Sequence, residues 1–159
     1  MPNQSGRVLD NKNIFSTIEK YRAENKKIVF TNGCFDLLHI GHVNYLEQAK
    51  SLGDILVVGV NTDSSVRILK GPTRPIQNED DRAEILAALK AVDHAILFDE
   101  PTPLELIKMV KPDFLVKGGD WKPEQIVGSD YVMSYGGQVR SLKFIDGRST
   151  TSIIEKSKT

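Results

Sequence analysis

Apolar residues along this chain keep two alternating rhythms. From Asn13 to Asn25, Ile14, Phe15, Ile18 and Tyr21 recur three and four apart, which predicts a helix with one inward stripe. Lys27 to Thr31 is a short apolar strand that stops at Asn32-Gly33. A helix follows from about Ile40, with Val43, Leu46 and Ala49 inward, and ends at Gly53. Ile55 to Val60 is a continuous apolar run, as in a strand covered on both faces, and it stops at Asn61-Thr62-Asp63. After a loop from Gly71 to Pro75, Asn78 is placed to cap a helix with Ile85, Leu86, Leu89 and Val92 inward. Ala95 to Phe98 is a third strand. Thr102-Pro103-Leu104-Glu105 reads as a capping box with proline at the first helical position, and Pro112 stops that helix. Phe114 to Val116 and Gln138 to Leu142 are strands four and five, and a last helix starts near Ser149.

Helices and strands alternate throughout, so the pattern predicts an α/β fold. We expect a single doubly wound, Rossmann-like domain, with a five-stranded parallel sheet and helices on both faces. That domain should span residues 11–159, behind a mobile tail from Met1 to Asp10. In such folds ligands bind beyond the carboxyl ends of the strands. Those ends carry Asn32-Gly33, Asn61-Thr62-Asp63, Lys117-Gly118-Gly119-Asp120 and Asp146-Gly147-Arg148. Glycine, carboxylate and cationic residues of this kind suit a phosphorylated ligand.

Composition narrows the classes. The 159 residues include 21 Lys plus Arg against 21 Asp plus Glu, so the formal net charge is zero. Attraction for an anion must come from local clustering, and broad nucleic-acid binding is disfavoured. Cys34 is the single cysteine, so no intramolecular disulfide is available. The polar N-terminus lacks the apolar core of a signal peptide, and no apolar run is long enough to span a bilayer. We expect a cytoplasmic protein without a membrane partner.

The informative stretch is Thr31-Asn32-Gly33-Cys34-Phe35-Asp36-Leu37-Leu38-His39-Ile40-Gly41-His42. It follows the first strand and opens a helix. His39 and His42 lie three apart, so in a helical turn they share a face, and Gly41 keeps side-chain bulk away from a close ligand. Free N–H groups and the partial positive charge of a helix N-terminus favour phosphate. A bound polyanion can hold the imidazoles protonated, since an unperturbed histidine titrates at about 6.5. A zinc site needs more His, Cys or carboxylate ligands than Asp36 alone supplies.

This segment resembles the signature of the HxGH nucleotidyltransferases, in their cytidylyltransferase-like branch. A longer set of segments, Thr31 to His42, Asn61 to Asp63, Leu69 to Ile76, Leu115 to Asp120 and Arg148 to Thr151, resembles the heptose 1-phosphate adenylyltransferases. Those occur alone or joined to a kinase, and this chain looks like the stand-alone form. The resemblance implies transfer of AMP from ATP to D-glycero-β-D-manno-heptose 1-phosphate, giving ADP-heptose and pyrophosphate for the lipopolysaccharide core. It implies Mg²⁺ held mainly by the ATP phosphates, with no protein ligand named.

On this reading His39, His42, Lys70 and Arg82 are catalytic. Lys70 neutralises charge at the transferring phosphate, and Arg82, a cation that the start of its helix does not favour, grips phosphate. Thr31, Asn32, Gly33, Cys34, Phe35, Gly41, Lys117, Gly118, Gly119, Asp120, Ser149, Thr150 and Thr151 are expected to bind nucleotide. Asp36, Asn61, Asp63, Lys70 and Arg74 are expected on the substrate side. Arg148 departs from the family pattern. A cytidylyltransferase acting on glycerol 3-phosphate or another small phosphorylated alcohol is one alternative, and a non-catalytic nucleotide sensor is another. A dehydrogenase is disfavoured because the first loop is not Gly-x-Gly-x-x-Gly. A homodimer or higher homo-oligomer stays open.

Overall fold

The computed structural model describes residues 7–144 and 147–158. Strand β1 (Val8–Leu9) leads to helix α1 (Ile14–Ala23), then β2 (Ile28–Gly33), α2 (Ile40–Ser51) and β3 (Ile55–Asn61). Two helices follow, α3 (Asp63–Lys70) and α4 (Glu79–Ala88), before β4 (His94–Phe98), α5 (Leu104–Val110) and β5 (Phe114–Gly118). A short 3-10 turn (Pro123–Gln125) precedes α6 (Ser129–Ser134), β6 (Gln138–Leu142) and α7 (Thr150–Ser157). The sheet is parallel throughout, in the order β1-β4-β3-β2-β5-β6. Its order reverses at β2, which has β3 on one side and β5 on the other. No helix among the described residues is long and apolar enough to cross a membrane.

Six strands replace the expected five. The extra one is Val8–Leu9, taken from residues read as tail; it pairs with Ala95 and Ile96, and Leu9 is buried. Two residues are too few to show a period. Residues 1–6 of the expected tail, and Asp146, lie outside the described residues. Helices α3 and α6 were also not expected. Thr62 caps α3 by accepting from the Ser65 N–H, and α3 carries Ile68 and Leu69 outward, so it shows no inward apolar stripe.

Alternation along each strand feeds two cores. Phe30, Val57, Ile96, Phe98 and Leu115 face α1, α5 and α6, whereas Val29, Leu56, Val58, Val60, Ala95 and Val116 face α2 and α4. Three local expectations fail. Phe15 and Ile85 point to solvent. The inward stripe of α1 is narrow, carried by Ile14 and Ile18, and α4 turns Arg82, Ala83, Leu86 and Ala87 inward instead. The Thr102–Glu105 capping box does not form. Pro103 is itself the N-cap of α5, and Thr102 Oγ1 sits a long 3.5 Å from the Leu104 N–H.

Candidate functional site

The carboxyl ends of β2, β3 and β5 open into one cavity of about 700 Å³. It sits at the reversal of strand order, where open α/β sheets place their ligands. The cavity straddles the sheet edge. On the α2 face it meets His39, His42, Tyr45, Phe144 and Arg148 to Thr151; beyond β3 and β4 it meets Asn61, Phe98 and Pro101 to Pro103.

The histidine pair is built by the turn between β2 and α2. His39 is the N-cap of α2, and its Nδ1 accepts from the Gly41 N–H at 3.1 Å. An accepting Nδ1 carries no proton, so the ring hydrogen of a neutral His39 is on Nε2. Gly41 is required by this cap. A Cβ there would lie 2.8 Å from His39 Cε1 and 2.9 Å from Nδ1, so the space that glycine leaves is filled by the imidazole. The His39 and His42 rings stack with centroids 3.9 Å apart, and Phe35 packs edge-on against His42 at 5.3 Å. Phe35 adopts a positive φ of 48°, and its ring lies so close over Gly33 that a Cβ there would stand 2.9 Å from it.

Burial lowers the pKa of His39 below its usual 6.5. Burial, and then the neighbouring His39, push His42 down to about 4. Both lowered values favour neutral rings at neutral pH before a ligand arrives, so protonation of the pair would have to come with a bound polyanion. His42 Nδ1 is buried and has no hydrogen-bond partner, an orphaned polar atom beside the α2 N-terminus.

Several expected ligand residues hold the walls instead. The Asp36 carboxylate has no exposed surface. It accepts from Arg74 Nε at 2.6 Å, from the Ile76 N–H at 2.9 Å and from the Gln77 N–H at 3.0 Å. Desolvation raises its pKa, but the Gln77 and Ile76 N–H groups and Arg74 outweigh that and lower it. Asp36 thus pins the 71–77 loop with three donors while it stands in the cavity wall.

Arg82, expected to grip phosphate, is fully buried and does not line the cavity. Its Nε donates to Gln77 O at 2.9 Å, its Nη1 to Cys34 O at 2.6 Å and Asn61 O at 2.8 Å, and its Nη2 to Asp63 at 2.8 Å. Asp63 is held in that ion pair and is not in the cavity wall either. Thr31 is buried against the Tyr45 hydroxyl at 2.6 Å, behind the wall.

The structure does bring together Asn32, Gly33, Cys34, Phe35, Asp36, His39, His42, Asn61, Lys70, Arg74, Lys117, Gly118, Ser149, Thr150 and Thr151 around the cavity. Ser149 caps α7 by accepting from the Ser152 N–H at 3.0 Å, and Thr150 Oγ1 donates to Leu37 O at 2.8 Å. That bond docks the N-terminus of α7 against the β2–α2 turn. Gly119 and Asp120 stand back from the cavity, where Gly119 adopts φ of 112° and Trp121 Nε1 donates to Gly118 O at 3.1 Å. Lys117 Nζ lies 5.4 Å from the Trp121 ring centroid. Sequence reasoning missed Tyr45, Leu69, Phe98, Pro101, Thr102, Pro103, Val127 and Phe144. Apolar side chains in a wall carry the same periodic signal as a core. Among the described residues no three His, Cys, Asp or Glu side chains gather closely enough to hold a metal ion.

Residues 30–156 match the cytidylyltransferase-like family. Bifunctional protein HldE of Geobacter metallireducens is 62% identical over 139 residues, covering 87% of this chain and 28% of that protein. HldE of Geotalea uraniireducens is 51% identical over 158 residues, covering 99% of this chain and 32% of its own length. The chain therefore spans about a third or less of these curated relatives. Among solved structures, a lipopolysaccharide core biosynthesis protein from Thermoplasma volcanium superposes with a TM-score of 0.63 at 34% identity, over 76% of this chain and 97% of that one. A pantoate-beta-alanine ligase from Francisella tularensis shares the fold, with a TM-score of 0.62 at 18% identity, over 95% of this chain and 76% of that one. The strand–turn–helix that stacks His39 on His42 falls within the matched span, and the chain belongs to the cytidylyltransferase-like family.

Proposed function

We propose that this protein is a nucleotidyltransferase that moves AMP from ATP to D-glycero-β-D-manno-heptose 1-phosphate, releasing pyrophosphate. The observation that carries the reading is the stacked imidazole pair at the N-terminus of α2, facing a cavity that also receives the N-terminus of α7. The choice of ATP and heptose is supported by the resemblance of the segments around Lys70 and Gly118, and by the Thermoplasma relative being a lipopolysaccharide core biosynthesis protein.

A phosphate oxygen of the acceptor attacks the α-phosphorus, a new P–O bond forms, and the bond to the β-phosphate breaks. The attacking oxygen is already ionised, so the site needs positioning and charge stabilisation rather than a strong base. His39 Nε2 donates to phosphate oxygens, while Lys70 and Arg74 neutralise charge on the acceptor side. Ser149 to Thr151 cradle the departing pyrophosphate at α7. Magnesium bound to the nucleotide phosphates would supply further charge neutralisation there.

Pyrophosphate release should be measured with ATP or CTP against a panel of sugar and polyol phosphates. ATP with the heptose 1-phosphate should give the highest kcat/KM. Preference for CTP with glycerol 3-phosphate would replace this reading with the cytidylyltransferase one, and nucleotide binding without release would make the protein a sensor. His42→Ala should lower kcat/KM by about 2.7–4 kcal/mol of transition-state stabilisation, as for loss of one anion-hole donor.

A further inference from the structure

We infer that Arg148 holds the pyrophosphate part of the nucleotide and takes up the charge that gathers there as pyrophosphate leaves. The inference rests on the nucleotidyl-transfer reading above and deepens it. Arg148 is a position at which this chain departs from the pattern it resembles, so the resemblance assigns it no part. The displacement breaks the bond between the α-phosphorus and the oxygen that bridges to the β-phosphate, and the electron pair stays on that oxygen. Pyrophosphate therefore departs with one more negative charge than it carried in the nucleotide. The wall around it has to meet that charge.

Several donors on the α2 face of the cavity are already engaged. The Gly41 N–H is spent on His39 Nδ1 at 3.1 Å, and the His42 and Val43 N–H groups on His39 O at 3.0 and 3.3 Å. At the start of α7 the Thr150 hydroxyl donates to Leu37 O and the Ser152 N–H to Ser149 Oγ. Burial favours the neutral form of both imidazoles. None of these groups brings a formal positive charge before a ligand arrives.

Arg148 brings one. It is exposed, it lines the cavity, and among the described residues it makes no hydrogen bond or ion pair. Its stem lies over the start of α2. A Cβ on Gly41 would stand 3.4 Å from Arg148 Cβ and 2.8 Å from His39 Cε1, so Arg148 and the His39 ring flank one small space above Gly41. The other cations of the wall are placed differently. Arg74 is paired with Asp36 at 2.6 Å, Lys117 Nζ rests over the Trp121 ring, and Lys70 ends α3. A guanidinium presents a planar fork that meets two phosphate oxygens at once. Its charge does not titrate near neutrality, so it serves the leaving group whatever the state of the imidazoles.

Calorimetry on wild type and Arg148→Ala tests this with three ligands in the presence of magnesium: α,β-methylene ATP, pyrophosphate and AMP. Arg148→Ala should bind α,β-methylene ATP and pyrophosphate at least tenfold more weakly than wild type does. AMP lacks the β- and γ-phosphates, and its Kd should stay within twofold. Arg148→Lys keeps the charge without the fork, so its losses should fall between those of wild type and Arg148→Ala. A purely structural part would weaken the ligands together, so the AMP titration separates it from a phosphate contact. Unchanged binding of the analogue and of pyrophosphate in Arg148→Ala overturns the inference and leaves the reaction standing. Equal weakening of AMP overturns it too, and makes Arg148 a prop for the start of α7. A wild type that binds neither the analogue nor pyrophosphate removes nucleotidyl transfer itself, and with it the part given to Arg148.

Discussion

Arg82 places a charged group where a methyl-rich residue would normally pack, and it does so to join three separate segments. One guanidinium holds the carbonyl of Cys34 in the β2–α2 turn, that of Asn61 at the end of β3, and that of Gln77 in the loop that Asp36 also grips. Arg82→Ala leaves these carbonyls and Asp63 unpaired in the interior. It should cost about 3–5 kcal/mol of stability in urea unfolding, the usual penalty for breaking a buried charged network. Arg82→Lys keeps the charge but not the planar fork, so it should recover only part of that loss. The start of its helix disfavours a cation, which in the sequence points to a ligand role for Arg82. The better clue was its spacing: it sits four before Leu86, on the inward face of α4. The loop-pinning part of Asp36 was not legible, since its bonds from the Ile76 and Gln77 N–H groups come from partners forty and forty-one residues away. The histidines were legible because His39, Gly41 and His42 make their geometry within one turn. Their titration was not, because burial sets it. Burial, and for His42 the adjacent His39, make the folded protein bind their protons less readily than the unfolded chain does. Stability should therefore be full above about pH 6.5 and decline as pH falls toward 4. Urea midpoints across that range should fall less steeply in His42→Gln.

Two helix N-termini meet at the site, and each is made by its own cap. Asn78, Thr62 and Ser149 all cap as short polar side chains do, accepting from an N–H three residues on. The caps at Asn78 and Ser149 were visible in the sequence because an apolar pattern follows each of them. The cap of α3 was not, since Ile68 and Leu69 face outward beside Lys70. The cap of α5 was misassigned because a suitable four-residue string does not guarantee the backbone it needs. Helix α7 illustrates how an element can serve a site from a distance in sequence. Thr150 Oγ1 reaches Leu37 O across 113 positions and fixes the α7 N-terminus beside His39. Thr150→Val, which removes that hydroxyl while keeping the shape, should weaken ATP binding by about 1 kcal/mol, with a smaller change in melting temperature. Parallel titrations of wild type and variant with ATP would read it.

At the scale of the molecule, a parallel sheet whose order reverses at β2 gathers its loops over one edge. Alternation of helix and strand was enough to read that architecture and the edge at which the cavity opens. The sixth strand escaped because two residues carry no period, and the apolar cavity wall escaped because Phe98 resembles any strand residue facing a core. The chain has three histidines, and the fold separates them by role. His94 is buried at the far end of β4, with Nε2 2.7 Å from the Tyr21 hydroxyl and Nδ1 3.2 Å from Arg7 O. It is an internal control for the pair at α2. The most direct measurement is an ¹⁵N spectrum of the imidazoles as magnesium and α,β-methylene ATP are added. A triphosphate gripped at α2 should shift the ring nitrogens of His39 and His42 and leave those of His94 in place. Saturating nucleotide that moves neither His39 nor His42 would contradict the account.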